Sequence, residues 1–157
     1  MIKLVIVGEP QPQGRPRFAR RGNFVTTYDP PKSKAYKALV KYQALTQWHS
    51  EPLQGALACK VKVYRPIQKS GSKRQKELKE AGVIRPVQKP DVDNYFKGVT
   101  DPLTGIVWED DNQIVHAEID KYYSNEPRIE IEIEELEQKK KTVITGSLNW
   151  FIRINQL

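Results

Sequence analysis

Ile2-Lys3-Leu4-Val5-Ile6-Val7 is an apolar run ended by Gly8, which predicts a strand over residues 2–7. From Gly8 to Tyr28 the chain is rich in Pro, Gly and Arg and loses periodicity, so it reads as a loop. Asp29-Pro30-Pro31 then opens a helix over about 32–48, where Tyr36, Leu39, Val40 and Trp48 fall at helical spacing beside Lys34, Lys37 and Lys41. Residues 56–64 alternate toward their end and read as a second strand. A short helix is expected near 72–81. Pro90 disfavours helix for Lys89, so the next helix, over 92–103, starts after it. Strands over 114–123 and 128–135, joined by Ser124-Asn125-Glu126-Pro127, predict a closing hairpin. In the second of them Ile129, Ile131 and Ile133 alternate with Glu130, Glu132 and Glu134, as in a sheet with one wet side. Lys139-Lys140-Lys141 sets off a tail, 142–157, that carries Trp150, Phe151 and Ile152. No internal repeat is visible.

With 157 residues, the chain has length for one domain with a core rather than two. Charge changes the picture more than size does. Residues 1–90 hold 19 Lys and Arg against 5 Asp and Glu, a net +14, whereas residues 91–157 hold 7 against 14, a net −7. Such asymmetry points to a polyanionic partner, nucleic acid or an anionic lipid surface. The longest apolar run is too short for a membrane span, and the single Cys59 has no disulfide partner, so a reduced, cytoplasmic protein is expected.

Candidate chemistry lies in Lys89-Pro90-Asp91-Val92-Asp93-Asn94-Tyr95-Phe96-Lys97 and in Trp108-Glu109-Asp110-Asp111-Asn112-Gln113. The mundane account is that Asp91 caps a helix, Asp93 suits its dipole, and Lys97 pairs with Asp93 one turn on. Against it, the acids follow the most basic stretch of the chain. A second acid pair lies in the turn after the helix, and an antiparallel return would bring Asp111 near the helix start. Carboxylates facing a phosphate backbone call for a divalent cation between them, and hard oxygen ligands suit Mg²⁺ or Mn²⁺. Other motifs fail: Tyr95 and Phe96 stand where an EF-hand needs an oxygen ligand and a glycine, and no phosphate-binding Gly-rich loop is present. His49 and His116 have no local partners.

These residues resemble the RusA-type Holliday junction resolvases of bacteria and phages. The resemblance rests on Lys89-Pro90-Asp91-Val92-Asp93-Asn94, Lys97, Asp101-Pro102-Leu103, Asp110-Asp111-Asn112-Gln113 and Lys121, and extends from the first strand to about Leu136. It implies a homodimeric α+β fold: a single domain, a small mixed β-sheet packed with helices. It also implies that Asp91, Asp93 and Asp111 bind the metal, Mg²⁺ with Mn²⁺ as a substitute, and that Lys97 is the essential lysine. The domain is expected over 1–138, with 139–157 a basic break and tail, of which the part after Lys141 has no counterpart in the family. The expected partners are a four-way junction or other branched DNA and a second copy of the chain, with no membrane. Phosphate contacts are expected from Arg15, Arg17, Arg20, Arg21, Lys73, Arg74, Lys76 and Lys89. The Ile-rich hairpin and the apolar residues Trp150, Phe151 and Ile152 of the tail offer interface material for a dimer. Two rivals stay open: a metal nuclease for flaps, mismatches or duplex, and a DNA-binding protein whose acids only cap and pair.

Overall fold

A computed structural model describes residues 1–137 of the chain. In order, its elements are β1 (Ile2–Val7), β2 (Arg17–Arg21), β3 (Phe24–Tyr28), α1 (Pro31–Gln47), β4 (Leu57–Pro66), α2 (Lys73–Glu80), α3 (Val92–Thr100), β5 (Ile114–Ser124) and β6 (Arg128–Glu135). The fold is mixed α+β in one small domain. Its main sheet has the order β1-β6-β4-β5, with β4 and β5 parallel and the other neighbours antiparallel.

Alternation along the strands decides which face is dry. Leu57, Cys59, Val61 and Val63 of β4 lie beside Ile129, Ile131 and Ile133 of β6 and Leu4 and Ile6 of β1, all buried. Tyr36, Val40 and Ala44 of α1, Tyr95 and Val99 of α3, and Leu103, Val107 and Trp108 cover this face. Cutting one of those isoleucines to alanine would cost about 2–5 kcal/mol. The opposite face is polar, with ion pairs Lys3–Glu130 (3.4 Å) and Lys60–Glu118 (3.1 Å). There Tyr64 and Tyr122 stack at 5.3 Å, with Arg128 over the first ring and Arg85 over the second.

The β1 edge would otherwise present unpaired backbone groups. Two glutamines of α1 cover it. Gln47 accepts from the Val5 amide and donates to the Val5 carbonyl, at 2.9 and 2.8 Å, and Gln43 does the same at Val7. This fixes α1 along the sheet.

Several expectations need correction. β5 and β6 are consecutive but do not pair, because β4 lies between them. The reason is burial: β6 carries three isoleucines that are fully covered only between two strands, whereas β5 is polar and suits an edge. The Ile-rich strand therefore fills the core of its own chain and is not interface material. The loop over 8–28 contains the β2–β3 hairpin, closed by Gly22-Asn23 with Gly22 at φ 59°. A Gly-Asn pair between β-prone stretches was the signal for it. The helix expected over 92–103 is α-helical only to Thr100 and ends in a 3-10 turn, Asp101–Leu103. Lys139, Trp150, Phe151, Ile152 and the rest of the tail lie outside the described residues.

Candidate active site

α3 is a short helix whose buried side, Tyr95, Val99 and Thr100, leaves Asp91, Asp93 and Lys97 exposed. Asp91 occupies the N-cap position (φ −70°, ψ 158°), yet its side chain makes no capping hydrogen bond. Among the described residues the Asp93–Lys97 ion pair is not formed either. The mundane roles of a cap and an ion pair are thus not the ones these side chains fill.

The approach to Asp91 is held from both sides. Lys121 of β5 donates to the carbonyls of Gln88 and Pro90, both at 3.0 Å, and Arg65 of β4 donates to the Lys89 carbonyl at 3.2 Å. Arg85 in turn reaches the Asp120 carboxylate at 3.2 Å and the Lys121 carbonyl. Three cations that could have faced phosphate therefore fix a backbone segment instead. The sequence reading placed Lys121 in the pattern without a role and passed over Arg65, because a side chain bonding to distant carbonyls leaves no local signature.

Asp110 and Asp111 divide their work. Asp110 caps the 3-10 turn Asp111–Gln113, accepting from the Asn112 amide at 2.8 Å, while Gln113 reaches back to the Asp110 amide at 2.9 Å. Gln113 also donates to the carbonyls of Leu53 and Gly55, which pins the turn beside the start of β4. Asp111 is exposed at the first position of that turn. Asp110 is committed to local structure and Asp111 is not.

The expected return of Asp111 to the start of α3 does not occur within one chain. Asp111 precedes β5 at Ile114, which is level with Leu57, whereas the segment before Asp91 is tethered to Lys121, level with Val63. Seven steps of strand separate Ile114 from Lys121, about 24 Å at ~3.4 Å per residue. Consistent with this, among the described residues no group of three or more Asp, Glu, His and Cys is placed to hold a metal ion. Asp91 and Asp93 share the first turn of one helix; Asp111 stands at the far end of β5.

Lys97 borders a cluster that sequence reasoning missed. Lys37 of α1 bridges Asp29 at 2.9 Å and Asp101 at 3.4 Å, and the Gln13 amide donates to Asp29 at 3.1 Å. The hydrogen bond from Lys37 is the main influence holding the Asp29 carboxyl below its usual range, with Gln13 and the charge of Lys97 acting in the same direction against partial burial. Gln13 belongs to a strap whose amide donates to the Asn94 carbonyl at 2.9 Å. The strap crosses α3 at Gly98, where a Cβ would meet the Gln13 nitrogen at 3.1 Å and the Gln11 oxygen at 3.2 Å. A side chain there would push the strap away by a few tenths of an ångström, so glycine suits so close a crossing. The strap and Asp29 are the two feet of the β2–β3 hairpin, so the hairpin rises beside Lys97.

Of the expected phosphate contacts, Arg15, Arg17, Arg20 and Arg21 are exposed on or next to that hairpin. Lys73 and Arg74 are exposed at the start of α2, and Lys89 is exposed before α3. Lys76 differs: it is half-buried and its ammonium donates to the Lys69 carbonyl at 2.6 Å.

Residues 8–134 match the family described as Endodeoxyribonuclease RusA. The chain belongs to the RusA endodeoxyribonuclease family. The matched span runs from the strap through α3 and the Asp110–Gln113 turn to β6, so it takes in every element that carries a candidate site residue. The chain is also similar to YqaN of Bacillus subtilis (strain 168), an uncharacterized protein, with 45% identity over 137 residues, 86% of this chain and 96% of that one. Among the described residues of this RusA-family chain, no helix is long and apolar enough to cross a membrane.

Proposed function

We propose that this RusA-family chain is a cytoplasmic, divalent-cation-dependent endonuclease that resolves four-way DNA junctions as a homodimer, with its nuclease domain in residues 1–138. The observation that carries the reading is α3. It presents Asp91, Asp93 and Lys97 to solvent on one rigid element, with none of them used for capping or pairing among the described residues, behind a lead-in fixed by two cations. A protein whose acids only stabilised its own helix would have spent them there.

The donor set suits Mg²⁺, or Mn²⁺ in its place. Carboxylates are hard oxygen ligands, and Mg²⁺ is usually held by one or two of them plus waters and substrate phosphates rather than by a closed protein cage. Asp91 and Asp93 match that pattern. Asp111 would complete the set from a second copy, since one chain holds it at the other end of β5. A cation bound there would supply a water of lowered pKa and neutralise charge on the attacked phosphate. The Lys97 ammonium would stabilise charge that develops on the leaving oxygen. Phosphate contacts from the arginine-rich hairpin and α2 would position DNA without reading its sequence. A four-way junction is close to two-fold symmetric, so two sites related by a dyad match two opposed cuts.

The test is to incubate the protein with labelled four-way junction, linear duplex and flap DNA, with and without Mg²⁺. Mg²⁺-dependent paired nicks on the junction, well above the other two substrates, are expected. Preferential cutting of duplex or flap would replace the junction reading, and no cutting with tight binding would leave a DNA-binding protein.

A further inference from the structure

The β2–β3 hairpin leaves two phenylalanine rings uncovered. Every residue of β3 is exposed, as are all of β2 except the partly covered Ala19, and Phe18 and Phe24 are 73% and 78% exposed. Its register places Arg17, Arg21, Phe24 and Tyr28 on one face and Phe18, Arg20 and Val25 on the other. Phe24 adjoins the turn, directly opposite Arg21. The ribbon makes no use of these rings for its own stability. Its internal supports are the ladder, a bond from Thr26 to the Ala19 carbonyl, and one from Arg20 to the Gly22 carbonyl. A lone two-stranded ribbon is marginal in water. This one is held at its feet, where Gln13 joins Asp29 and Gly14 donates to Ser33 of α1 at 2.8 Å.

We propose that this hairpin is a stacking ribbon for branched DNA: Phe24 packs against an unstacked base at the branch point while Arg17 and Arg21, on the same face, hold the flanking phosphates. The proposal rests on the DNA reading above and adds how branched DNA is told from duplex. Three chemical arguments select the occupant. Aromatic rings interleaved with arginines are the composition of a surface that binds bases by their faces and the backbone by its charge. A second copy of the same ribbon would set arginine against arginine, which excludes self-pairing as its use. An intact duplex offers its grooves and phosphates but no exposed base face, whereas a branch point interrupts stacking and makes one available at low cost. Position supports the assignment as well. The ribbon's feet are tied to Asn94 and lie beside Lys97, so a base held by the tip belongs to the same DNA whose backbone passes α3.

The experiment uses four-way junctions carrying 2-aminopurine beside the branch point, in buffer without divalent cations so that nothing is cut. Wild-type protein should raise the 2-aminopurine fluorescence and bind junction in preference to linear duplex of equal length. Phe24→Ala should abolish the fluorescence rise and lower the junction-over-duplex preference about tenfold, the scale of losing one stacked base. Phe24→Trp should restore both, and Tyr42→Ala, which removes an exposed aromatic from α1, should match wild type. With Phe24 this exposed, unchanged thermal unfolding of the variant confirms its fold. A Phe24→Ala protein that still unstacks the base and keeps its junction preference overturns the ribbon, and wild-type cleavage in Mg²⁺ would then leave the nuclease reading standing. A Phe24-dependent unstacking without any Mg²⁺-dependent cleavage would do the reverse.

Discussion

Lys121, on β5, donates to the carbonyl of Pro90 at 3.0 Å, one residue before Asp91. An ammonium on the sheet thereby sets where the acid-bearing helix begins, from thirty-one residues away in sequence. Lys121→Met removes this bond and its companion to Gln88, at a cost of about 1–3 kcal/mol for hydrogen bonds made by a charged group. The expected outcome is a lower unfolding temperature together with a higher Mg²⁺ requirement for junction cleavage, and Lys121→Arg should recover part of both. Cleavage with wild-type metal dependence would show that the clamp does not position Asp91.

Asp91→Asn, Asp93→Asn and Asp111→Asn should each abolish cleavage while junction binding is kept or tightened, since a ligand is lost and repulsion of phosphate falls. Asp110 is the contrast. Its carboxylate caps the Asp111–Gln113 turn, so Asp110→Ala should cost about 1 kcal/mol of stability with a minor effect on rate. Single-turnover cleavage and chemical denaturation on the same preparations separate the two classes.

Mixing the inactive Asp91→Asn and Asp111→Asn proteins tests whether Asp111 is supplied by the partner copy. In a mixed dimer of that design one site lacks both acids and the other is intact. After exchange of subunits the mixture should regain nicking, one strand per junction rather than two. A mixture as inactive as its components would place all three acids of a site in a single chain.

Lys97→Ala should reduce cleavage by about 10²–10³-fold, the scale of losing one group that stabilises transition-state charge. Because Lys97 bridges no acid among the described residues, the stability change should stay within a few tenths of a kcal/mol. A large loss of stability with cleavage intact would return Lys97 to a structural role.

Asp29 makes the hairpin feet acid-sensitive. Its carboxyl is lowered by Lys37, so its contribution is complete above the ordinary carboxylate range and is lost as pH falls through the lowered folded value. Asp29→Asn should flatten the fall in unfolding temperature across acidic pH. An unfolding profile as steep as that of wild type would assign the acid sensitivity to other carboxylates.

Local patterning determined much of this protein. The β1, α1, α2, β4 and β6 segments, the start of α3, and the carboxylates on and after it are all legible in the sequence, because apolar period and turn residues act over a few positions. The order of strands is not local. That β6 lies between β1 and β4, with β5 at the outer edge, follows from burying Ile129, Ile131 and Ile133 on a shared face, which only the assembled sheet decides. The hairpin escaped the sequence pattern because it has no dry face to print an alternation. The separation of Asp111 from Asp91 escaped it for a different reason. β5 does run back towards the start of α3, but Asp111 stands before that strand and Lys121 is the residue that arrives there, so the length of a strand lies between the two acids. Sequence named the acids, and the packing of β5 determined that a single chain does not bring all three together.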